Sequence, residues 1–289
     1  MAKGVAVLTA GIVALLAPAV ARAYPWPIKP FDEPHAIRGA FGDPRSGRSF
    51  HFGVDISAPD GTPVYAVAPG TAFRYQDAVD VRQPDGREFS FWHIDAAVGE
   101  HSFVNAGDLL GWVKAPWEHV HFAEFDGTTY VNPLRPGGLE PYADTTTPVI
   151  QSVDVDGSNA TVEAYDPPPI APPFPWQDAR WTPERIRWRL DGGDWSTAYD
   201  FTQLYPPSAF DSVYAPGTEQ NKPEQPGRYV FWLFRGLDLA PGRHTLEVEA
   251  SDTGGNTATA SKSFTTTGVA PRRSRVLDRS PSRRPSTAG

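Results

Sequence analysis

An all-β fold is predicted: two β-rich units in series, meeting near residue 144. Three observations predict it. Short runs in which apolar and polar residues alternate recur along the chain, and few stretches repeat at helical spacing. The chain's 31 prolines and 26 glycines break these runs with turn sequences. From about residue 147 the texture changes, and evenly spaced strand candidates with short turns take over.

The ends are set apart from these units. Lys3 precedes an apolar run from Val5 to Val20, and Ala21-Arg22-Ala23 forms a small-x-small cleavage site. That is the pattern of a secretory signal peptide, so residues 1–23 are expected to be removed on export. The run is too short for a bilayer span, and no stable membrane anchor is expected. The chain has no cysteine, which excludes disulfides and an N-terminal cysteine lipid anchor. Residues 24–267 hold 18 basic and 33 acidic side chains, a balance that argues against a nucleic-acid partner. Residues 268–289 hold six Arg and one Asp among Ser and Pro, and are expected to be a disordered basic tail.

The first unit is assigned to residues 24–143. After a Pro-rich entry, Gly42 to Arg45 reads as a turn leading to Ser49-Phe50-His51-Phe52-Gly53-Val54-Asp55-Ile56. Strict alternation makes this stretch a strand, with Phe50, Phe52, Val54 and Ile56 inward and His51 and Asp55 on the other face. Residues four apart on a flat strand lie about 13 Å from each other, so Gly53 must bend or bulge the chain for the two side chains to converge. Val64 to Val67 and Thr71 to Tyr75 are further short strands. Pro84-Asp85-Gly86 is a hairpin signal, followed by a strand from Glu88 to Asp95 with Phe89, Phe91 and His93 on one face. Gly107-Asp108 turns into a strand through Trp112. Glu118 to Glu124 alternates again, with His119 and His121 on one face and Val120 and Phe122 on the other.

Four of the seven histidines, His51, His93, His119 and His121, lie in these strands. Two imidazoles and a carboxylate are the donor set of a catalytic zinc centre with one open position. His51, Asp55 and one member of the His119/His121 pair supply it, because two residues about 6.8 Å apart on a strand suit one ligand and one neighbour. A closed structural site would call for a fourth protein ligand. No His-Glu-x-x-His helix is present, so the base is sought in His93 and the non-ligating member of the pair. Asp95, Glu118 and Glu124 are expected to be solvated, with orientation of the ligand histidines as the alternative for each. Trp112 and Trp117 are expected at the groove, and Trp92 in the core. His35, His101 and His244 are expected to be structural or surface residues.

In order along the chain, Phe41-Gly42-Asp43-Pro44-Arg45, the His-x-Gly-x-Asp of His51, Gly53 and Asp55, Trp92-His93-Ile94, Val104 to Gly111, and the His-x-His-Phe of His119, His121 and Phe122 resemble the lysostaphin/LytM-type zinc metallopeptidases. The resemblance covers residues 37–135. It implies an antiparallel β-sheet metallopeptidase domain that binds Zn2+ through His51, Asp55 and His121. It implies His93 and His119 as the catalytic histidines, and peptide cross-links of bacterial peptidoglycan as substrate. Where family members carry a Gly/Thr/Ser-rich loop before His-x-His, this chain has Lys114-Ala115-Pro116-Trp117-Glu118, a shorter and stiffer loop.

The second unit is assigned to residues 144–267. Val149 to Val155, Ala160 to Ala164, Arg185 to Leu190, Tyr229 to Phe234, Thr245 to Ala250 and Thr257 to Phe264 are strand candidates, with turns at Asp191-Gly192-Gly193-Asp194 and Asp252 to Asn256. This pattern predicts an immunoglobulin-like β-sandwich. Two Pro- and aromatic-rich segments interrupt it, 167–182 and 201–227. A secreted peptidoglycan endopeptidase is the function these readings favour. The alternatives are a non-catalytic wall-binding or hydrolase-regulating protein on the same scaffold, and an adhesion or carbohydrate-binding module. Loss of ligands marks the first of these, and all five chemical residues are intact here.

Overall fold

The computed structural model describes residues 23–267. The expected signal segment, Ala23 apart, and the basic tail lie outside the described residues. The fold is nearly all antiparallel β, as predicted; among the described residues α-helix is confined to one turn, α1 (Phe210–Val213). Among the described residues no helix is long and apolar enough to cross a membrane.

The N-terminal part contains β1 (Ile37–Gly39), β2 (Pro44–Arg45), β3 (Ser49–Phe50), β4 (Val54–Ser57), β5 (Pro63–Tyr65), β6 (Gly70–Tyr75), β7 (Ala78–Arg82), β8 (Glu88–Trp92), β9 (Ile94–Ala96), β10 (Phe103–Val104), β11 (Leu109–Val113), β12 (His119–Phe125) and β13 (Tyr130–Val131). The main sheet runs β1-β4-β12-β8-β7-β6-β10, with β13 added on β12. A second, three-stranded sheet runs β5-β11-β9, and β2 and β3 form a small hairpin. Alternation decides the faces. Val54 and Ile56 of β4, Phe89 and Phe91 of β8, and Val120 and Phe122 of β12 are fully buried in one core. Burying a side chain of this size contributes about 1.5–3 kcal/mol. The Pro-rich entry segment belongs to the same core: Tyr24, Trp26 and Ile28 are buried, and Tyr24 donates to Glu124.

Two predicted strands are broken, both at chemistry-bearing residues. The stretch 49–56 is not one strand. Ser49 and Phe50 pair back on Arg45 and Pro44, residues 51–53 leave the ladder, and only Val54–Ser57 joins the main sheet. The stretch 88–95 breaks at His93, whose φ of 64° ends β8 and starts β9 in the other sheet. His93 therefore does not continue the Phe89/Phe91 face.

The C-terminal part contains β14 (Val149–Asp156), β15 (Asn159–Tyr165), β16 (Arg185–Leu190), β17 (Ser196–Asp200), β18 (Val230–Phe234), β19 (Gly242–Ser251) and β20 (Thr257–Thr266). They form two antiparallel sheets, β14-β15-β18 and β17-β16-β19-β20, over one core that includes Val162, Ile186, Phe231 and Val248. Six of these strands match the predicted ones within a few residues; β17 carries little alternation and was not predicted.

The two parts share apolar surface. Phe50 packs against Phe201, Tyr205, Phe210 and Tyr214 with ring centroids 5.4–6.1 Å apart. Trp181 enters the N-terminal core and donates to Ile37 O. Fully buried Asp43 accepts from Ala40 N and from Thr182 N. Gly42, at φ 85°, takes a conformation open to glycine, and a Cβ there would stand 2.8–3.0 Å from the Phe201 ring. The long segments 167–182 and 201–227 thus seat the sandwich on the first unit.

Candidate metal and catalytic centre

The register of β12 builds the site. His121 lies opposite Asp55 of β4 on one side and Trp92 of β8 on the other. His119 sits two residues earlier on the same face. The 51–53 break swings His51 over β4, so the 13 Å expected of a flat strand collapses. His51 Nε2 and Asp55 Oδ1 are 3.0 Å apart. His121 Nδ1 lies 2.8 Å from the former and 3.0 Å from the latter. Gly53 makes this approach possible: a Cβ there would be 2.3 Å from Phe122 O and 2.9 Å from the His121 ring. Its role is close packing under the ring rather than a bulge.

The donor chemistry of this triangle fits one cation. His51 Nδ1 lies 2.8 Å from Ala40 O, which can only accept, so the His51 proton sits on Nδ1 and Nε2 is bare. Arg45 Nη2 holds the other Asp55 oxygen at 2.7 Å, leaving Oδ1 turned to the histidines. Zinc–nitrogen bonds of about 2.0–2.1 Å place tetrahedral ligand atoms about 3.3 Å apart, within about half an ångström of the 2.8–3.0 Å seen. Burial pushes the Asp55 carboxyl up, but His51, Arg45 and the adjacent His119 and His121 outweigh it and hold the group well below the usual carboxylate range. Burial, with the Arg45 charge beside it, pushes the His51 imidazole down to about 3, and burial lowers His121 as well. Both rings are kept neutral, the form that ligates a metal.

His93 and His119 stand next to this triangle. Their ring centroids are 4.7 Å apart, and His93 is 6.4 Å from His121. The left-handed backbone at His93 turns its ring onto Trp117, stacked at 3.8 Å and 17°. Its Nδ1 is buried and lies 3.6 Å from Asp77 Oδ2, beyond hydrogen-bond reach. Burial, with His119 and His121 alongside, pushes His93 down to about 4.

His119 Nε2 is 3.5 Å from Asp55 Oδ1, while Nδ1 has two neighbours of opposite kind. Trp117 O, 2.6 Å away, only accepts; Arg38 Nη2, 2.5 Å away, only donates. Proton on Nδ1 gives a bond to Trp117 O and a bare Nε2. Proton on Nε2 gives a bond from Arg38 and a donor at the site. Arg38 itself donates to Trp117 O at 3.0 Å and lies 4.7 Å from the Trp176 ring centroid.

All five residues singled out from sequence come together in one groove of about 430 Å³. Phe52, Trp92 and Trp117 line it from the first unit, and Trp176 and Gln220 from the C-terminal part. Three expectations about its surroundings are corrected. Trp92 lines the groove instead of packing wholly in the core, since its position opposite His121 puts it on the site face. Trp112 pairs with Asp95 on β9 and is not part of the lining. Asp95 and Glu118 are exposed, as expected, but Glu124 is buried and taken by Tyr24 and Arg135; Ala40 O orients His51, and Arg45 orients Asp55. Arg38, Asp77 and Trp176 reach the site by folding, and no sequence pattern marked them. His35 and His101 lie off the site, as expected, and His244 pairs with Asp191.

The chain is 32% identical over 94 residues to DD-carboxypeptidase/endopeptidase Mpg of Neisseria meningitidis, covering 29% of this chain and 22% of that protein. The chain thus spans about a fifth of the length of the curated relatives it matches. Among solved structures it is similar to the catalytic domain of the prophage-encoded M23 protein EnpA of Enterococcus faecalis. That match has 28% identity, a TM-score of 0.32, and covers 37% of this chain and 95% of that one. It is also similar to Helicobacter pylori Csd3, at 21% identity and a TM-score of 0.34, covering 39% of this chain and 34% of that one. Residues 49–133, which hold all five site residues, match the model of Peptidase family M23.

Proposed function

We propose that the chain is an extracytoplasmic, zinc-dependent endopeptidase that hydrolyses peptide bonds in bacterial peptidoglycan. On this reading residues 1–23 are a signal peptide and residues 24–143 the catalytic domain. Residues 144–267 are an immunoglobulin-like sandwich fixed beside the groove. The observation that carries the reading is the convergence of a two-imidazole, one-carboxylate triangle with two further histidines in one cleft. The match to Peptidase family M23 and the likeness to an endopeptidase point the same way.

His51, Asp55 and His121 are the metal ligands. Zinc held there supplies Lewis-acid charge to a scissile carbonyl and acidifies a water. The chain's own groups do the rest. His119 with its proton on Nδ1, bonded to Trp117 O, presents a bare Nε2 that takes a proton from the attacking water. His93 donates to the oxygen on which charge develops, and the two exchange these tasks if Arg38 holds His119 in its other tautomer. Phe52, Trp92 and Trp117 wall the site with apolar surface and strengthen each of these charge interactions. Trp176 and Gln220 extend the wall from the sandwich, so the C-terminal part shapes the substrate cleft.

The test is to incubate the purified protein and its His121→Ala variant with peptidoglycan and identify new amine termini by mass. Cleavage by wild type alone supports the reading. No cleavage by wild type with zinc bound would replace it with a non-catalytic, wall-binding role.

A further inference from the structure

Away from the groove, three carboxylates meet where the two parts of the chain join. Asp144 lies on the connection between them, Asp166 follows β15, and Asp252 follows β19. One oxygen from each lies within 4.8 Å of the others, and the three residues are only 3–7% exposed. Two of the three are held in place by neutral donors. Asp144 accepts from Thr146 N, Thr146 Oγ1 and Tyr142 OH. Asp252 accepts from Asn256 N and Asn256 Nδ2.

Asp166 differs. It is 3% exposed, its Oδ1 is buried with no hydrogen-bond partner, and its carboxylate is turned to the other two. The charged groups that act on it are Asp144, Asp252 and Asp43, all carboxylates, with no basic side chain among them. A buried, unpartnered carboxylate among others of its sign is costly unless it holds a proton, as burial and its neighbours favour for Asp166 in the metal-free chain, or a cation displaces that proton and sits between them. Oxygen-only donors select a hard cation. Ca2+–oxygen bonds of about 2.3–2.6 Å let atoms about 4.8 Å apart share one ion, and Ca2+ sheds water more readily than Mg2+.

We propose that Asp144, Asp166 and Asp252 form a calcium site that locks the sandwich to the connection leading from the peptidase unit. Asn256 Nδ2, which also donates to Asp144 O, ties the Asp252 turn to the same connection, so the ion would clamp three segments already in register. The site is separate from the zinc centre and does not depend on hydrolytic activity.

The test uses the full-length protein, stripped of metal with chelator, dialysed and titrated with CaCl2 by calorimetry and thermal melting. Wild type is expected to bind one Ca2+ with a rise in Tm. The Asp166→Asn variant is expected to bind at least tenfold more weakly and to show no rise. It should melt no lower than metal-free wild type, having lost an uncompensated carboxylate. The His121→Ala variant should keep the full calcium response. Absence of binding by wild type up to about 10 mM Ca2+ overturns the proposal. So does equal binding by Asp166→Asn, or a response lost only in His121→Ala. Should Asp166→Asn not fold, Tb3+ emission sensitised by Tyr142, whose hydroxyl bonds Asp144, decides the matter. Emission that Ca2+ displaces and that Asp252→Asn loses supports the site; no emission, or emission unchanged in Asp252→Asn, overturns it.

Discussion

His93 lies flat against Trp117, ring centroids 3.8 Å apart and planes 17° from parallel. The stack joins a histidine forced out of its strand to the short loop that precedes β12, and the loop's indole helps take that imidazole out of water. Burial is the first cause of its lowered value of about 4. In the arrangement where Arg38 bonds His119 Nδ1 and His93 is the base, activity is therefore expected to persist well below the free imidazole value of about 6.5, with its acid limb near that lowered value. Trp117→Ala opens the ring to water, so the limb should move up towards about 6.5 and kcat should fall. A pH–rate profile of both proteins checks this; an unmoved limb in the variant contradicts it.

The same neutral rings make the metal-free fold sensitive to acid. His51 at about 3 in the folded chain lies below its unfolded value, so its contribution is fully present above about pH 6.5 and is lost as pH falls towards 3. Protons would compete with zinc over the same range.

Gly53→Ala is expected to abolish zinc binding while the sandwich stays folded. Its Cβ would press on Phe122 O and on the His121 ring, and backbone cannot yield as a flexible side chain does. Overpacking of this kind costs about 1–3 kcal/mol. Zinc content after purification, together with the melting curve, measures both consequences.

Arg45→Ala removes the group that holds Asp55 Oδ2 and fixes which oxygen faces the histidines. Removing such an orienting partner typically costs about 10–100-fold in metal affinity or activity. A competition titration of zinc against a chromophoric chelator reads the change. Arg45→Lys keeps the charge but not the fork and should recover only part of it.

Phe50→Ala tests the shared core. Phe50 leaves the N-terminal hairpin to pack among four aromatic rings of the C-terminal part. Its loss should destabilise by about 3–5 kcal/mol. If the aromatic seam couples the two parts, calorimetry shows one transition in wild type and two in the variant.

Much of this was legible in the sequence, for physical reasons that differ by residue. Alternation fixed the inward faces of β4, β8 and β12, because a half-buried strand writes its burial with period two. The spacing of His119 and His121 survived folding, since both sit on an unbroken strand. The breaks at residues 51–53 and at His93 were hidden: alternation runs through both, and tertiary contacts, not local pattern, decided them. Arg38, Asp77 and Trp176 were invisible for a related reason. Arg38 lies 81 residues from His119, Asp77 lies 16 from His93, and Trp176 comes from a loop of the other unit, so only tertiary folding brings them in. The aromatic segments 167–182 and 201–227 looked like insertions because their apolar partners belong to the other unit.

Three of the five site residues are proposed to hold metal and two to act on substrate. Zinc content per chain, measured on wild type and five alanine variants beside peptidoglycan hydrolysis, tests that division most directly. His51→Ala, Asp55→Ala and His121→Ala are expected to lose zinc and activity together, whereas His93→Ala and His119→Ala are expected to keep one zinc per chain and lose hydrolysis. Zinc lost equally from all five, or hydrolysis retained without His93 and His119, would contradict it.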